Sequence, residues 1–391
     1  NEKFYQVNWL PLMKLRASYG SSGNISRLAS AYTTVSFFTA NLTPLTTATV
    51  ISPPNAALRW EKVRMFNLGL DFATKNERLS GSIEYYRKKA TDLLGQAPTD
   101  PTLGLSDYSG SSFFYGNVAS MKGTGADIHI TSKNIQGSIS WTTDWLFSYA
   151  DSKITDYLLP SSNAGSIYLQ ANSFYINPVK GRPVYGIYSY AWAGLDPATG
   201  DPQGILQGKT STDYNAITQQ SIDSIQYHGP AQPLYFGAVR NSFRWKQFTI
   251  SFNISYKLGY YFRKPSVNYD ALFRTWNGHS DYALRWQQPG DEAHTNVPSM
   301  VYPANQQRDL FYQYASVLVD KADNIRLEDV SVGYDIDKGQ WKALPFKHLR
   351  VYGYAANLAL LWTANKQHMD PYYNNIPTDG KSFSLGLNIS F

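Results

Sequence analysis

Between Phe248 and Leu258 the chain reads F-T-I-S-F-N-I-S-Y-K-L, eleven residues that alternate apolar and polar without a break. Side chains on a strand point to opposite faces in turn. Phe248, Ile250, Phe252 and Ile254 therefore share one face, and Thr249, Ser251, Asn253, Ser255 and Lys257 the other. The C-terminus repeats the pattern, with Phe383, Leu385, Leu387, Ile389 and Phe391 set against Ser382, Ser384, Gly386, Asn388 and Ser390. Met13–Tyr19, Phe66–Phe72 and Leu79–Tyr85 alternate cleanly, and 116–131, 136–152, 231–245, 324–336 and 349–362 do so less strictly. About ten strands are expected on these grounds. No segment carries a long amphipathic helical pattern, which excludes βαβ folds and leaves a sandwich or a barrel.

The connections separate those two. In order they run long (21–59), short (73–78), long (92–115), short (132–135), long (153–230), short (246–247), long (263–323), short (337–348) and long (363–381). An up-and-down outer-membrane barrel, with short periplasmic turns and long outer loops, predicts this parity. A Greek-key sandwich has no reason to keep it. Twelve steps separate Phe248 from Tyr260; at about 3.3 Å each and a tilt of about 40° they span roughly 30 Å, the height of a lipid-facing band with its aromatic girdles. The five long connections are then extracellular, and the last strand runs inward to leave Phe391 at the periplasmic rim.

Composition agrees. Aromatic residues make up 15% of the chain, with 30 Tyr and 10 Trp, against 16% charged residues. Tyr and Trp suit half-apolar, half-wet positions such as membrane interfaces and sugar-binding surfaces. Cysteine is absent, so thiolate chemistry and disulfides are excluded. The net charge of +6 is scattered rather than clustered and gives no nucleic-acid footprint. No run approaches the length of a membrane helix. The chain opens N-E-K-F-Y without Met or leader, and an internal fragment is the preferred expectation.

Several stretches resemble the C-terminal half of the SusC/RagA family of TonB-dependent outer-membrane transporters of Bacteroidota. They are M-K-L-R-A-S-Y-G-S-S-G-N (13–24), L-R-W-E-K-V-R-M-F-N-L-G-L-D-F (58–72), R-L-S-G-S-I-E-Y-Y-R-K-K-A-T-D-L-L (78–94), Y-G-I-Y-S-Y-A-W-A-G-L-D-P-A-T-G-D-P-Q-G (185–204), K-A-D-N-I-R-L-E-D-V-S-V-G-Y (321–334) and L-R-V-Y-G-Y-A-A-N-L (349–358). The resemblance implies an all-β transmembrane antiparallel barrel of 22 strands, of which residues 1–391 supply the final ten or so, with the plug and TonB box outside this segment. It further implies import of oligosaccharides, or sometimes peptides, under a SusD-like surface lipoprotein and powered through TonB. The terminal set Phe383, Leu385, Leu387, Ile389 and Phe391 resembles the signal read by the barrel-assembly machinery.

Catalytic and metal chemistry find little support. Gly278-His279-Ser-Asp281 and Gly290-Asp291-Glu292-Ala-His294 share one long loop, but the tight spacings of a zinc site are missing. Asp127 and His129 share one face of a strand. Asp196 and Asp201 sit in turn chemistry, with too few further oxygens for calcium. No phosphate loop or nucleophile elbow is present, so neither enzyme activity nor a cofactor is expected. The loop aromatics are the better candidates for ligand contact: Tyr185, Tyr188, Tyr190, Trp192, Trp276, Trp286, Tyr372 and Tyr373 can stack on the apolar faces of sugars, or else pack the loops against one another. The lumen wall is Thr249, Ser251, Asn253, Ser255 and Lys257. A glycan importer is thus the leading expectation, with a self-contained ten-stranded outer-membrane hydrolase or porin, or a secreted carbohydrate-binding β-sandwich, as the alternatives.

Overall fold

The structure, a computed structural model, describes residues 5, 7–25, 30–39, 45–98, 113–158, 166–169, 178–339, 341, 345–373 and 378–390. Ten strands form a single antiparallel sheet, each paired with the next in sequence. They are β1 (Leu12–Asn24), β2 (Glu61–Ala73), β3 (Leu79–Pro98), β4 (Phe113–Ile135), β5 (Ile139–Tyr157), β6 (Tyr235–Trp245), β7 (Phe248–Leu258), β8 (Asn324–Asp337), β9 (His348–Thr363) and β10 (Ser382–Ser390). One continuous sheet in sequence order is an up-and-down arrangement, which removes the sandwich.

Cross-strand register carries the alternation around the sheet. One row runs Leu15, Leu70, Ile83, Ile128, Phe147, Gly237, Tyr256, Ile325 and Trp362. The adjacent row on the opposite face runs Arg16, Gly69, Glu84, Asp127, Ser148, Phe236, Lys257, Asn324 and Thr363. The first face is apolar and strongly exposed, with Leu15 at 67% and Leu385 at 83%. A hydrocarbon layer is the surrounding that makes such exposure favourable. Phe391 lies outside the described residues.

The strands outrun the pattern that announces them. β3 continues to Pro98, β4 begins at Phe113 and β5 continues to Tyr157, inside segments that the alternation alone reads as loop. There the register slips, between Ala90 and Leu93 and again between Leu93 and Leu94, with Asp92 at φ +58°, so the period of two disappears while pairs such as Leu94↔Asn117 and Gly95↔Gly116 extend the backbone ladder. β8 owes its weaker pattern to a bulge: Asn253 pairs with Asp329 and Ile254 with Leu327, leaving Glu328 as the extra residue. The β6–β7 turn is the two residues Lys246-Gln247, with Lys246 at φ +52°.

The buried core lies in the loops. Residues from the β5–β6 and β7–β8 connections interleave around Tyr188, Tyr190, Tyr214, Ile217 and Phe311, and around Val267, Tyr269, Val297, Tyr312 and Leu318. The two connections are stitched by Tyr190 N–H donating to Tyr314 O and Ser316 N–H donating to Tyr190 O, both at 2.9 Å. They form one folded layer at the long-loop end of the sheet. The β1–β2 connection adds a hairpin, Thr34–Thr39 with Thr46–Ser52, that the sequence pattern did not single out. The longest helix among the described residues is Gln306–Gln313, of eight residues.

Candidate functional site: a charged wall beneath an aromatic loop layer

Alternation gathers polar residues from successive strands on one wall, and many of them pair there with one another. Arg16 reaches Asp71 (2.8 Å) and Glu84 (2.7 Å). Thr131 donates to Asp144 and Ser148 to Asp127, each at 2.6 Å. Arg240 crosses β7 to the carboxylate of Asp329 at 2.9 and 3.1 Å. The bulge at Glu328 turns three neighbours to the same side: Arg326 pairs with Asp370, Glu328 accepts from Ser255, and Asp329 takes Arg240. Thr249, Ser251, Asn253, Ser255 and Lys257 all stand on this wall, opposite the exposed Phe248 and Ile250.

Two cavities adjoin the loop layer. The first, about 590 Å³, lies where wall and loops meet and includes Tyr86, Lys88, Ser152, Tyr185, Gln232 and Lys257 in its lining. The second, about 510 Å³, lies within the loops and is lined by Lys264, His279, Asp281, Arg285, Asp291 and His294 among others. The two His-containing motifs thus converge, yet their carboxylates are already engaged. Asp281 accepts from Ser266 Oγ at 2.7 Å and lies 3.3 Å from His279 Nδ1, and Asp291 accepts two backbone N–H groups, from Gln287 and Gln288. No cluster of three or more metal-ligating side chains occurs among the described residues.

The aromatic candidates divide. Tyr190 is fully buried and Tyr188 nearly so; burial pushes the Tyr188 phenol up to about 12 and raises that of Tyr190 as well. Trp192 stacks on Phe311 at 6.2 Å. Trp286 lies buried over Gly200 (φ +68°), where a Cβ would meet its ring at 2.3 Å, and its Nε1 donates to Glu292. Tyr188, Tyr190, Trp192 and Trp286 therefore pack within the loop layer, Trp192 only partly buried. Of the two roles left open for these aromatics, packing is the one these four take in the loop layer; a sequence cannot distinguish an aromatic that seals two loops from one that lines their mouth. Tyr185, Trp276 and Tyr372 remain exposed and Tyr373 partly so, with Tyr185 on the first cavity. Tyr372 lies beneath Lys257 Nζ, 3.9 Å from its ring centroid, and Arg326 faces both Tyr372 and Tyr373.

The Asp196–Asp201 segment is a structural turn. Asp196 accepts the N–H groups of Ala198 and Thr199, which holds its carboxyl below the usual range, and Asp201 pairs with the buried Arg308 at 2.7 Å. Tyr86 and Lys88 went unremarked in the sequence, although their parity with Glu84 puts them on the polar face.

No protein-family model matches the chain. It is 24% identical over 406 residues to TonB-dependent receptor P3 of Formosa agariphila, covering 97% of this chain and 38% of that protein. It is 23% identical over 371 residues to TonB-dependent receptor SusC of Bacteroides thetaiotaomicron, covering 86% and 32%. Among solved structures, the RagAB peptide transporter matches all of this chain and 42% of its own, with a TM-score of 0.73 at 23% identity. The chain spans between about a third and two-fifths of the length of these relatives. Ten strands in sequence order, an exposed apolar face and a polar wall have the fold of a stretch of the RagAB transporter's barrel, and over nearly all of its length the chain is similar to outer-membrane TonB-dependent receptors, SusC among them.

Proposed function

We propose that residues 1–391 form the C-terminal part of an importer that carries oligosaccharides across the outer membrane. The single observation that carries this reading is the pairing of a charged wall with an aromatic-rimmed cavity at its loop end. Hydroxyl-rich cargo needs both: polar groups to bond its hydroxyls and ring faces to take its apolar C–H surfaces. Tyr185, Trp276, Tyr372 and Tyr373 are the ligand contacts in this reading, and Thr249, Ser251, Asn253, Ser255 and Lys257 line the path. The long connections are extracellular, a SusD-like lipoprotein covers them, and TonB supplies energy through a region outside this segment. The apolar face of β10, with Phe383, Leu385, Leu387 and Ile389, meets lipid and serves the barrel-assembly machinery. Phe391 belongs to the same set.

Deleting the gene for the full-length receptor tests the reading. Growth on mixed oligosaccharides as sole carbon source should fail while growth on peptides continues, and the intact gene should restore it. Loss of growth on peptides alone would replace the glycan cargo with a peptide.

A further inference from the structure

The first cavity holds more positive charge than it needs for its own packing. Two lysines line it, Lys88 and Lys257, and one acid, Asp151. Asp151 already faces Lys153 at 3.2 Å. Lys88 Nζ stands 4.7 Å from the centroid of the Tyr86 ring, and Lys257 Nζ stands 3.9 Å from that of Tyr372. Neither ammonium has a carboxylate within 4.0 Å among the described residues, whereas Arg16, Arg240 and Arg326 on the same wall each pair with one, and Glu328 acts on Lys257 only from beyond that distance. Both are steadied by aromatic faces, which hold a cation without neutralising it.

The site is built before any ligand arrives. Gly125 lets the Tyr86 ring lie across the β4 backbone, for a Cβ there would sit 2.2 Å from the ring. The loop segments that close the cavity are tied to each other and to the strands by backbone hydrogen bonds. Ala231 N–H donates to Tyr185 O (2.9 Å), Ala150 N–H to Leu234 O (3.0 Å) and Leu234 N–H to Leu258 O (3.1 Å). Pro183, Pro230 and Pro233 stiffen the same rim. Such preorganisation lowers the ordering cost of binding. A volume of about 590 Å³ is that of a small-molecule site. Thr124, Ser152 and Gln232 supply hydroxyl and amide partners around the two cations.

We infer that this cavity is a subsite for the carboxylate of an acidic oligosaccharide, with Lys88 and Lys257 as its counter-charges and Tyr185 against a sugar face. The inference rests on the glycan-import reading and narrows it to uronate-bearing cargo. A hydrogen bond to a charged partner discriminates by about tenfold or more per group.

The test is calorimetric binding to the full-length receptor in detergent, with oligogalacturonates and oligomannuronates as probes beside their methyl esters. The wild-type receptor should prefer acid to ester by about thirtyfold or more, a preference that shrinks as salt is raised. In Lys88→Gln/Lys257→Gln the preference should fall to within about threefold, and Lys88→Arg/Lys257→Arg should restore it, which separates lost charge from lost folding. Equal binding of acid and ester by the wild type, or a preference that survives the double Gln variant, overturns the subsite and leaves glycan import standing. Tighter binding of a sulfated neutral oligosaccharide than of either uronate overturns the carboxylate assignment. Binding of peptides with no binding of any oligosaccharide overturns the import reading itself, and the subsite with it.

Discussion

Lys257 Nζ lies 3.9 Å from the centroid of the Tyr372 ring, joining the loop end of β7 to the connection between β9 and β10. The contact links a wall residue to a loop aromatic 115 positions away and draws the last connection over the cavity that Lys257 lines. Arg326 reinforces it through Asp370 and both tyrosines.

Tyr372→Ala should loosen that connection while leaving the barrel folded. A partly desolvated cation–π contact contributes about 1 kcal/mol, so trypsin should cut at Lys366 and Lys381 about fivefold faster in the detergent-extracted receptor. Tyr372→Phe keeps the ring and should cut at the wild-type rate. Equal rates in all three proteins would mean that the contact does not restrain the loop.

Ile254 and Ser255 test the two faces of β7. Ile254 stands on the exposed apolar face, paired with Val239 and Leu327, and Ile254→Arg should destabilise the barrel by about 2–4 kcal/mol. Ser255 stands on the opposite face and donates to Glu328, so Ser255→Arg gains a carboxylate partner and should be tolerated. Heat-modified mobility and urea unfolding in lipid vesicles measure both. Equal damage from the two would sink this assignment of faces.

Arg308 holds the loop layer from within. It is buried, pairs with Asp201, and its Nη2 donates to Ser299 O (2.9 Å) and Ser299 Oγ (3.1 Å). Arg308→Leu removes every one of these donors. The expected loss is about 2–3 kcal/mol of local stability, below the figure for a fully buried pair because Asp201 is partly exposed. Hydrogen exchange should quicken across 196–204 and 297–313 and stay slow in the strands. Unchanged exchange in those two segments would remove the structural role of the pair.

His228 makes the loop layer acid-sensitive. Its Nε2 lies 2.7 Å from Ser189 Oγ, and burial, helped by the Arg263 charge, holds its pKa below the ordinary value. A depressed folded pKa means that the unfolded segment binds more protons as pH drops. The contribution of His228 is therefore complete above its ordinary pKa of about 6.5 and is lost as pH falls through the lower, folded value. Hydrogen-exchange protection of 186–190 and 226–230 should decline as pH falls below about 6.5 in the wild type and much less in His228→Gln. Matching profiles would assign the acid sensitivity to another group.

The strands were legible because a two-residue period is local: a side chain's face follows from its position alone. Phe248–Leu258 therefore discloses its two faces with no knowledge of its neighbours, and the lengths of the connections disclose their order. The bulge at Glu328 broke the signal, because the extra residue is defined only by the partner strand. The register shifts between Ala90 and Leu94 broke it too, since β3 goes on pairing with β4 beyond them out of phase with the alternation before.

What the chain alone determined was the sheet: ten strands, their faces, and the short turns that join them in sequence order. What only the tertiary structure decided was the use of the loop aromatics and of the lysines. Tyr190 and Trp286 became packing, Tyr185 lines a cavity, and Lys88 and Lys257 came to face the same space from β3 and β7. The reason is physical. Strand facing repeats every two residues, whereas burial of a loop side chain depends on contacts with segments far away in sequence, and those contacts leave no periodic trace along the chain.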